Sequence, residues 1–277
     1  MHAVAPVPIS FRHAMLALFA ISTREMVHFA HQTGRLFSAI VRPALWLFIF
    51  AAGFQNVLGV SIMPPYDSYI EYQVYVLPGL LGMVLLFQGM QSSLSMVYDR
   101  EMGMMRLLLT APLPRWYLLF CKLLAGVGLS VVQAYVFLGV AVLFGVDIPL
   151  AGWLRALPAL VAGGLMLGAV GLLLSVNIRQ LENFAGTMNF VIFPMFFISP
   201  ALYPLWKLRE SGAEAVYWLA VVNPFTHAVE LIRFAIYGQV YWLGLVVVVA
   251  TTTVAFGLAA LGYDPQRGLI GRTGRPG

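Results

Sequence analysis

Residues 156–178 read ALPALVAGGLMLGAVGLLLSVNI, a run without a single Lys, Arg, Asp or Glu. A bilayer core of roughly 30 Å is crossed by about 20 helical residues. A charge at its midplane costs about 2.5–3.5 kcal/mol, so the run reads as a membrane span. Five further stretches share the property: 43–66, 72–98, 123–146, 183–206 and 234–263, while the next longest charge-free gap, 215–229, has only 15 residues. Sixteen basic and eleven acidic residues scattered at random would not leave six such gaps. A mean hydropathy of +0.86 and 61% hydrophobic residues exclude an ordinary soluble domain. The expected fold is an all-α integral membrane protein of six transmembrane helices in one domain, at approximately 43–66, 72–98, 119–146, 154–177, 184–206 and 236–263.

With the N-terminus assigned to the cytoplasm, twelve basic residues fall on the cytoplasmic side and four (Arg155, Lys207, Arg209 and Arg233) on the other. This positive-inside bias places both termini in the cytoplasm, and the net charge of +5 then reflects topology rather than nucleic-acid binding. Residues 10–35 are amphipathic, with Phe11, Met15, Leu18, Phe19, Met26 and Phe29 on one face and His13, Arg24, His28, His31 and Arg35 opposite. They are expected to lie in the membrane surface as an interfacial helix against lipid headgroups. The apolar run 14–22 follows Arg12 and His13 and resembles a signal-peptide core, but its flank is only weakly basic and Thr23-Arg24-Glu25 offers no small-residue cleavage site, so it is read as retained. The lone Cys121 reads as a packing residue. His28 and His31 read as part of the headgroup-facing stripe rather than a metal site, and none is expected. Tyr66, Tyr69, Tyr72 and Tyr75 are expected at the outer membrane interface, and 264–277 as a cytoplasmic tail.

Within the spans, Gln88, Gln91, Ser92 and Ser95 share one helical face. Amides in lipid need partners, so this face either packs on other helices or lines a substrate path. Asn189 lies among Phe190, Phe193, Phe196 and Phe197, ahead of Pro200. That segment is read as core packing or as a contact for an amphiphile. Gly164 and Gly168 permit close helix approach and are compatible with dimerisation. No charge is expected inside a span, which argues against ion-coupled transport. The sequence holds no Gly-x-Ser-x-Gly elbow, zinc helix or phosphate loop, so the chain is not expected to be an enzyme or to bind ATP itself.

The connector DREMGMMRLLLTAPLPR, residues 99–115, interleaves charged and apolar residues and stops at Pro112 and Pro114. Exposed Met102, Met105 and Leu109 beside Arg100 and Arg106 suggest a docking surface, or a connector lying on the membrane. Here the chain resembles the type-2 ABC transporter permeases. The resemblance rests on Glu101, Gly103, Leu108, Leu109, Thr110, Pro112, Pro114, Arg115 and Lys122, and on Asn223-Pro224-Phe225-Thr226 followed by Glu230 and Arg233. Ile198-Ser199-Pro200 departs from the Leu-Ser-Gly of many members. The resemblance implies a bacterial cytoplasmic-membrane, multi-pass permease that pairs with a second copy and docks two copies of a separate ABC ATPase, which carries the ATP and Mg. It implies a short cytoplasmic coupling helix, 99–110, that meets the ATPase through Asp99, Arg100, Glu101, Met102, Gly103, Met105, Arg106 and Leu109, with a second, smaller contact at the loop 177–183 around Arg179. It also implies a substrate pathway at the dimer interface and an outer re-entrant hairpin containing 215–229, and Glu230 and Arg233, three apart, are read either as a pair at the outer gate or, the better reading, as a structural pair on one helix. The expected function is export of an amphiphile such as a lipid, glycolipid or drug. The alternatives are a membrane-embedded lipid-modifying transferase, for which 199–233 offers the only polar candidates, and a membrane scaffold protein.

Overall fold

The computed structural model describes residues 11–31, 33–54, 64–66, 70–102, 114–178 and 180–262. Ten helices run through them: α1 (Phe11–Ala30), α2 (Thr33–Phe54), α3 (Tyr72–Glu101), α4 (Arg115–Leu143), α5 (Leu150–Asn177), α6 (Leu181–Phe197), α7 (Leu205–Glu210), α8 (Glu214–Val222), α9 (Pro224–Ile236) and α10 (Trp242–Gly262). Four of them, α3, α4, α5 and α10, are long and apolar enough to cross a membrane, and α8 with α9 makes a fifth if the bent pair is counted as one. The expected first and fifth spans correspond to α2 and α6, and of α2 the stretch whose side chains are described throughout, Ile40–Ile49, is a shorter apolar helix. α2 begins well before Pro43 and so carries Arg42 inside it. α6 is only 17 residues long, about 25 Å of helix.

α3 is the central helix, packed on α2, α4, α5, α6 and α9. Its crossing with α5 is close because both helices present glycine. A methyl at Gly89 would lie 3.0 Å from the Gly168 backbone nitrogen, and one at Gly171 would lie 2.9 Å from the Gly89 carbonyl oxygen. Gly164 faces Ser130 and Val127 of α4. The glycines compatible with dimerisation are therefore spent inside the subunit, joining α3, α4 and α5. α10 packs on α5 and leaves Val246, Val249, Val254 and Leu258 exposed, as a helix on the lipid-facing side does.

α1 lies along α4, with Ile21 and Leu18 against Leu118 and Cys121 and with the Tyr117 hydroxyl donating to the Ala14 carbonyl at 2.7 Å. Cys121 is buried there as a packing residue. Met15, Phe19 and Met26 remain exposed. The side chains of Phe11, His13, His28, Phe29 and Arg35 lie outside the description.

α6 stops at Phe197, and the chain from Ile198 to Pro204 is not helical. Irregular backbone at membrane depth persists only where its polar groups find partners inside the protein. Here side chains supply them. The Asn223 amide donates to the carbonyls of Met195 (2.7 Å) and Ile198 (2.6 Å), Tyr75 and Arg233 donate to Pro200 (3.0 and 2.8 Å), and Tyr72 donates to Leu202 (2.6 Å). Tyr203 bonds back to Phe197, and Ser199 to Phe196. Tyr72, Tyr75 and Tyr66 are consequently buried, not set among headgroups as the sequence suggested. Tyr69 lies outside the described residues.

The Asn-Pro-Phe-Thr-His run makes the bend between α8 and α9, which is 73°. Asn223 caps α9 by accepting from the Phe225 amide at 3.0 Å, and Pro224 takes the first helical position, where no donor is needed. Thr226 donates to the Ala220 carbonyl at 2.6 Å, and a His227 ring nitrogen lies 3.0 Å from the Val221 carbonyl, so the open end of α8 is closed by side chains of α9.

Candidate functional site

At the end where α3 meets α4, Asp99 is buried and holds Lys122 at 2.5 Å, with Arg24 of α1 at 3.2 Å. Lys122 enters this cluster because it lies two turns into α4, level with the last turn of α3. Arg24 is partly exposed and adds little to stability, but it ties α1 to the core. One residue-pair further on, the Glu101 carboxylate accepts the Leu181 backbone amide at 3.0 Å. A carboxylate at a helix N-terminus satisfies an orphan donor and the positive end of the dipole. The two segments expected to face the cytoplasm and meet an ATPase, the one beginning at Asp99 and the short loop before α6, are thus tied to each other at Glu101 and Leu181. Met102 beside them is exposed. α3 continues through Asp99, Arg100 and Glu101, so the expected separate helix from 99 is here the last turn of the span. Gly103, Met105, Arg106 and Leu109, and Arg179 on the second loop, lie outside the described residues.

Halfway along α3 the polar face turns toward α2 and α4. Gln133 of α4 donates to Gln88 at 3.1 Å, and both are buried. The Arg42 guanidinium stands 4.0 Å over the Phe87 ring, a cation–π contact that suits a cation removed from water. Ser38, Arg42, Gln88, Gln91 and Gln133 surround a space of about 10 Å³, room for about one water. Ser95 donates to the Ser92 carbonyl at 2.6 Å, and Ser92 fills the gap opposite Gly126. Gln88 is therefore engaged in helix packing. Arg42 and Gln133 are the residues the sequence reading missed. Gln133 was recoverable, since one isolated amide in a span calls for another. Arg42 lies inside the helix α2, one residue ahead of the expected first span.

α6 presents the other expected pathway residues outward. Asn189, Phe190, Phe193 and Phe197 lie exposed on one face, Phe190 at 80%, and the Phe193 and Phe197 rings stack at 6.2 Å. Trp46 of α2 packs edge-on against Phe197. Asn189 makes no hydrogen bond among the described residues.

At the opposite end, Arg233 is fully buried. It pairs with Glu230, donates to Pro200 and lies 4.1 Å over the Tyr75 ring. Tyr66 closes over the node, 5.0 Å edge-on from Tyr237. The pair expected at an outer gate is packed within the subunit and anchors the 198–204 connection to α9.

The model of the ABC-2 type transporter family matches residues 17–237, which takes in every cluster described above. The chain belongs to the ABC-2 type transporter family. Its relatives bear this out. Over 234 residues it is 28% identical to ycf38 of Cyanophora paradoxa, which carries the name of a transport permease, covering 82% of this chain and 76% of that one. It is 26% identical to the daunorubicin resistance ABC transporter permease protein DrrB1 of Streptomyces coeruleorubidus, covering 84% and 80%. With YbhR of Escherichia coli K12, named for a multidrug ABC transporter permease, it shares 28% over 171 residues, 61% of this chain and 45% of that one. ABC-2 permeases work with ATPase subunits and are multi-pass integral membrane proteins. The transport reading thereby gains over the transferase and scaffold alternatives.

Proposed function

We propose that this ABC-2 permease is the membrane subunit of an ATP-driven exporter, working as a pair of identical chains with two copies of a separate ATPase in a bacterial cytoplasmic membrane. The six-span topology, with both termini inside, is part of that reading. The observation that carries it is the Glu101–Leu181 bond. It makes a single receiving surface of the end of α3 and the start of α6, so one push from below moves both helices. The ATPase binds and hydrolyses ATP with Mg, and this chain supplies no phosphate loop. Arg100 and Met102 belong to the same coupling segment, and the sequence assigns Gly103, Met105, Arg106, Leu109 and Arg179 to it as well. The test is co-purification of the co-expressed ATPase with the tagged permease. Glu101→Lys with Met102→Asp is expected to lower ATPase recovery several-fold and to stop transport. An unchanged yield with transport intact would refute the coupling surface.

The α6 face supports the pairing. An amide on a membrane helix seeks a partner, and Asn189 has none among the described residues of its own chain. A second copy apposed at α6 supplies one and encloses a path lined by Asn189, Phe193 and Phe197, with Gln91, Ser92 and Ser95 deeper in. Stacked aromatic rings with occasional amides suit an amphiphilic cargo, and the daunorubicin name of one relative is in keeping with that chemistry. Glu230 and Arg233 keep the outer end of the path rigid. In Asn189→Cys, oxidation is expected to join two permease chains into a disulfide-linked dimer on a denaturing gel. The same substitution at Val249, on the lipid-facing side of α10, should not. Equal cross-linking at both positions would remove α6 as the interface.

A further inference from the structure

A cavity of about 430 Å³ opens between α5, the end of α9 and the start of α10, at the end of the molecule opposite Asp99. It lies within the roughly 300–1,000 Å³ of sites that hold small ligands, and it is separate from the α6 face and from the coupling surface. The sequence hollows it out. Ala159 and Ala162 of α5 and Ala235 of α9 form a floor of short side chains, and Pro158, Leu231, Val240 and Leu245 make the walls apolar except at Gln239. One cation stands at its mouth. Arg155 lies one turn before Pro158 and Ala159 on the same face of α5, and it makes no ion pair among the described residues. No carboxylate lines the cavity. The guanidinium is given its place by Gly238. That residue has φ +74°, a conformation that favours glycine, and a methyl there would fall 2.9 Å from Arg155 Nη1. The α9–α10 turn is thus shaped to let the guanidinium lie across it.

We infer that this cleft binds an anionic phospholipid, with one acyl chain in the Ala159–Ala162–Ala235 trough and the phosphate on Arg155. Charge complementarity selects the headgroup, and the dry, lipid-facing trough selects a chain over a soluble anion. In the proposed orientation the lipid belongs to the outer leaflet. It is a resident lipid on the flank of the subunit, distinct from cargo in the central path.

Native mass spectrometry of the full-length chain in detergent tests this with phosphatidylglycerol and phosphatidylcholine of matched chains. Phosphatidylglycerol is expected to be retained preferentially. Arg155→Gln should lower its retention about fivefold, the worth of one basic residue at an anionic headgroup, and Arg155→Lys should largely preserve it. Ala162→Phe, which fills the trough and leaves the charge, should abolish retention of both lipids at the site. Equal retention of the two lipids by the parent, or an unchanged preference in Arg155→Gln, overturns the proposal. Displacement by inorganic phosphate at equal concentration overturns it in favour of a free anion. Neither ATPase nor transport enters the measurement, so it stands or falls apart from the coupling reading.

Discussion

Arg233→Met is expected to cost about 3–5 kcal/mol, the range for removing one partner from a buried ion pair. Arg233 is fully buried, so its loss strands the Glu230 carboxylate in a low-dielectric interior and leaves the Pro200 carbonyl with Tyr75 as one donor in place of two. At about 2–4 °C per kcal/mol for a chain of this size, the melting midpoint in detergent should fall by roughly 10 °C. The pair itself contributes less than this suggests, because desolvating two charges offsets most of their attraction. The double variant Glu230→Leu with Arg233→Met should therefore recover much of the loss. A single variant that melts within about 1 °C of the parent would show that the node carries no such load.

Gly79→Ala should cost about 3 kcal/mol, at the upper end of the overpacking range. The added methyl would fall 2.3 Å from the Ala201 carbonyl oxygen and 2.5 Å from its Cα. Those are backbone atoms that no rotamer change can move aside. The 198–204 connection would have to retreat by about an ångström. It holds the bonds from Tyr72, Tyr75 and Arg233, which tolerate no such shift together. Gly128→Ala is the control: it is a helical glycine with nothing within 4 Å, where alanine should be neutral or stabilise by up to about 1 kcal/mol. Thermal midpoints of the two variants, compared side by side, decide the matter, and equal midpoints would refute the close contact.

The cores of the long helices were legible because hydrophobic burial and the cost of a charge in lipid leave a one-dimensional trace. The runs 72–98, 123–146, 156–178 and 234–263 each fall on one of α3, α4, α5 and α10, the last reaching back into the end of α9. The bend between α8 and α9 could be anticipated from the failed length of 215–229 and from Pro224. Less legible was anything decided by a partner distant in sequence. Pro200 hinted that α6 would end early, but not that tyrosines from 125 residues away would receive the freed carbonyls. Those tyrosines had the spacing of an interfacial belt, and only packing shows them turned inward. Gly164 and Gly168 likewise carry the same motif whether they meet a second copy or their own α3. In the segment proposed for coupling, the acidic residue at 101 could be singled out through the resemblance to the type-2 ABC transporter permeases. Its bond to the Leu181 amide, 80 positions on, could not.

One consequence concerns α3 and α6 together. α3 is 30 residues long, a strut of about 45 Å. α6 is moored to both its ends: at Leu181 through Glu101, and just beyond Phe197 through Tyr75 on Pro200. It is strung along α3 like a cord on a bow. A bow cord cannot slacken at one end alone. The aromatic face of α6 is thereby tied to both ends of α3, and under the proposed coupling a displacement at Glu101 would reach Phe193 and Phe197 through both ties.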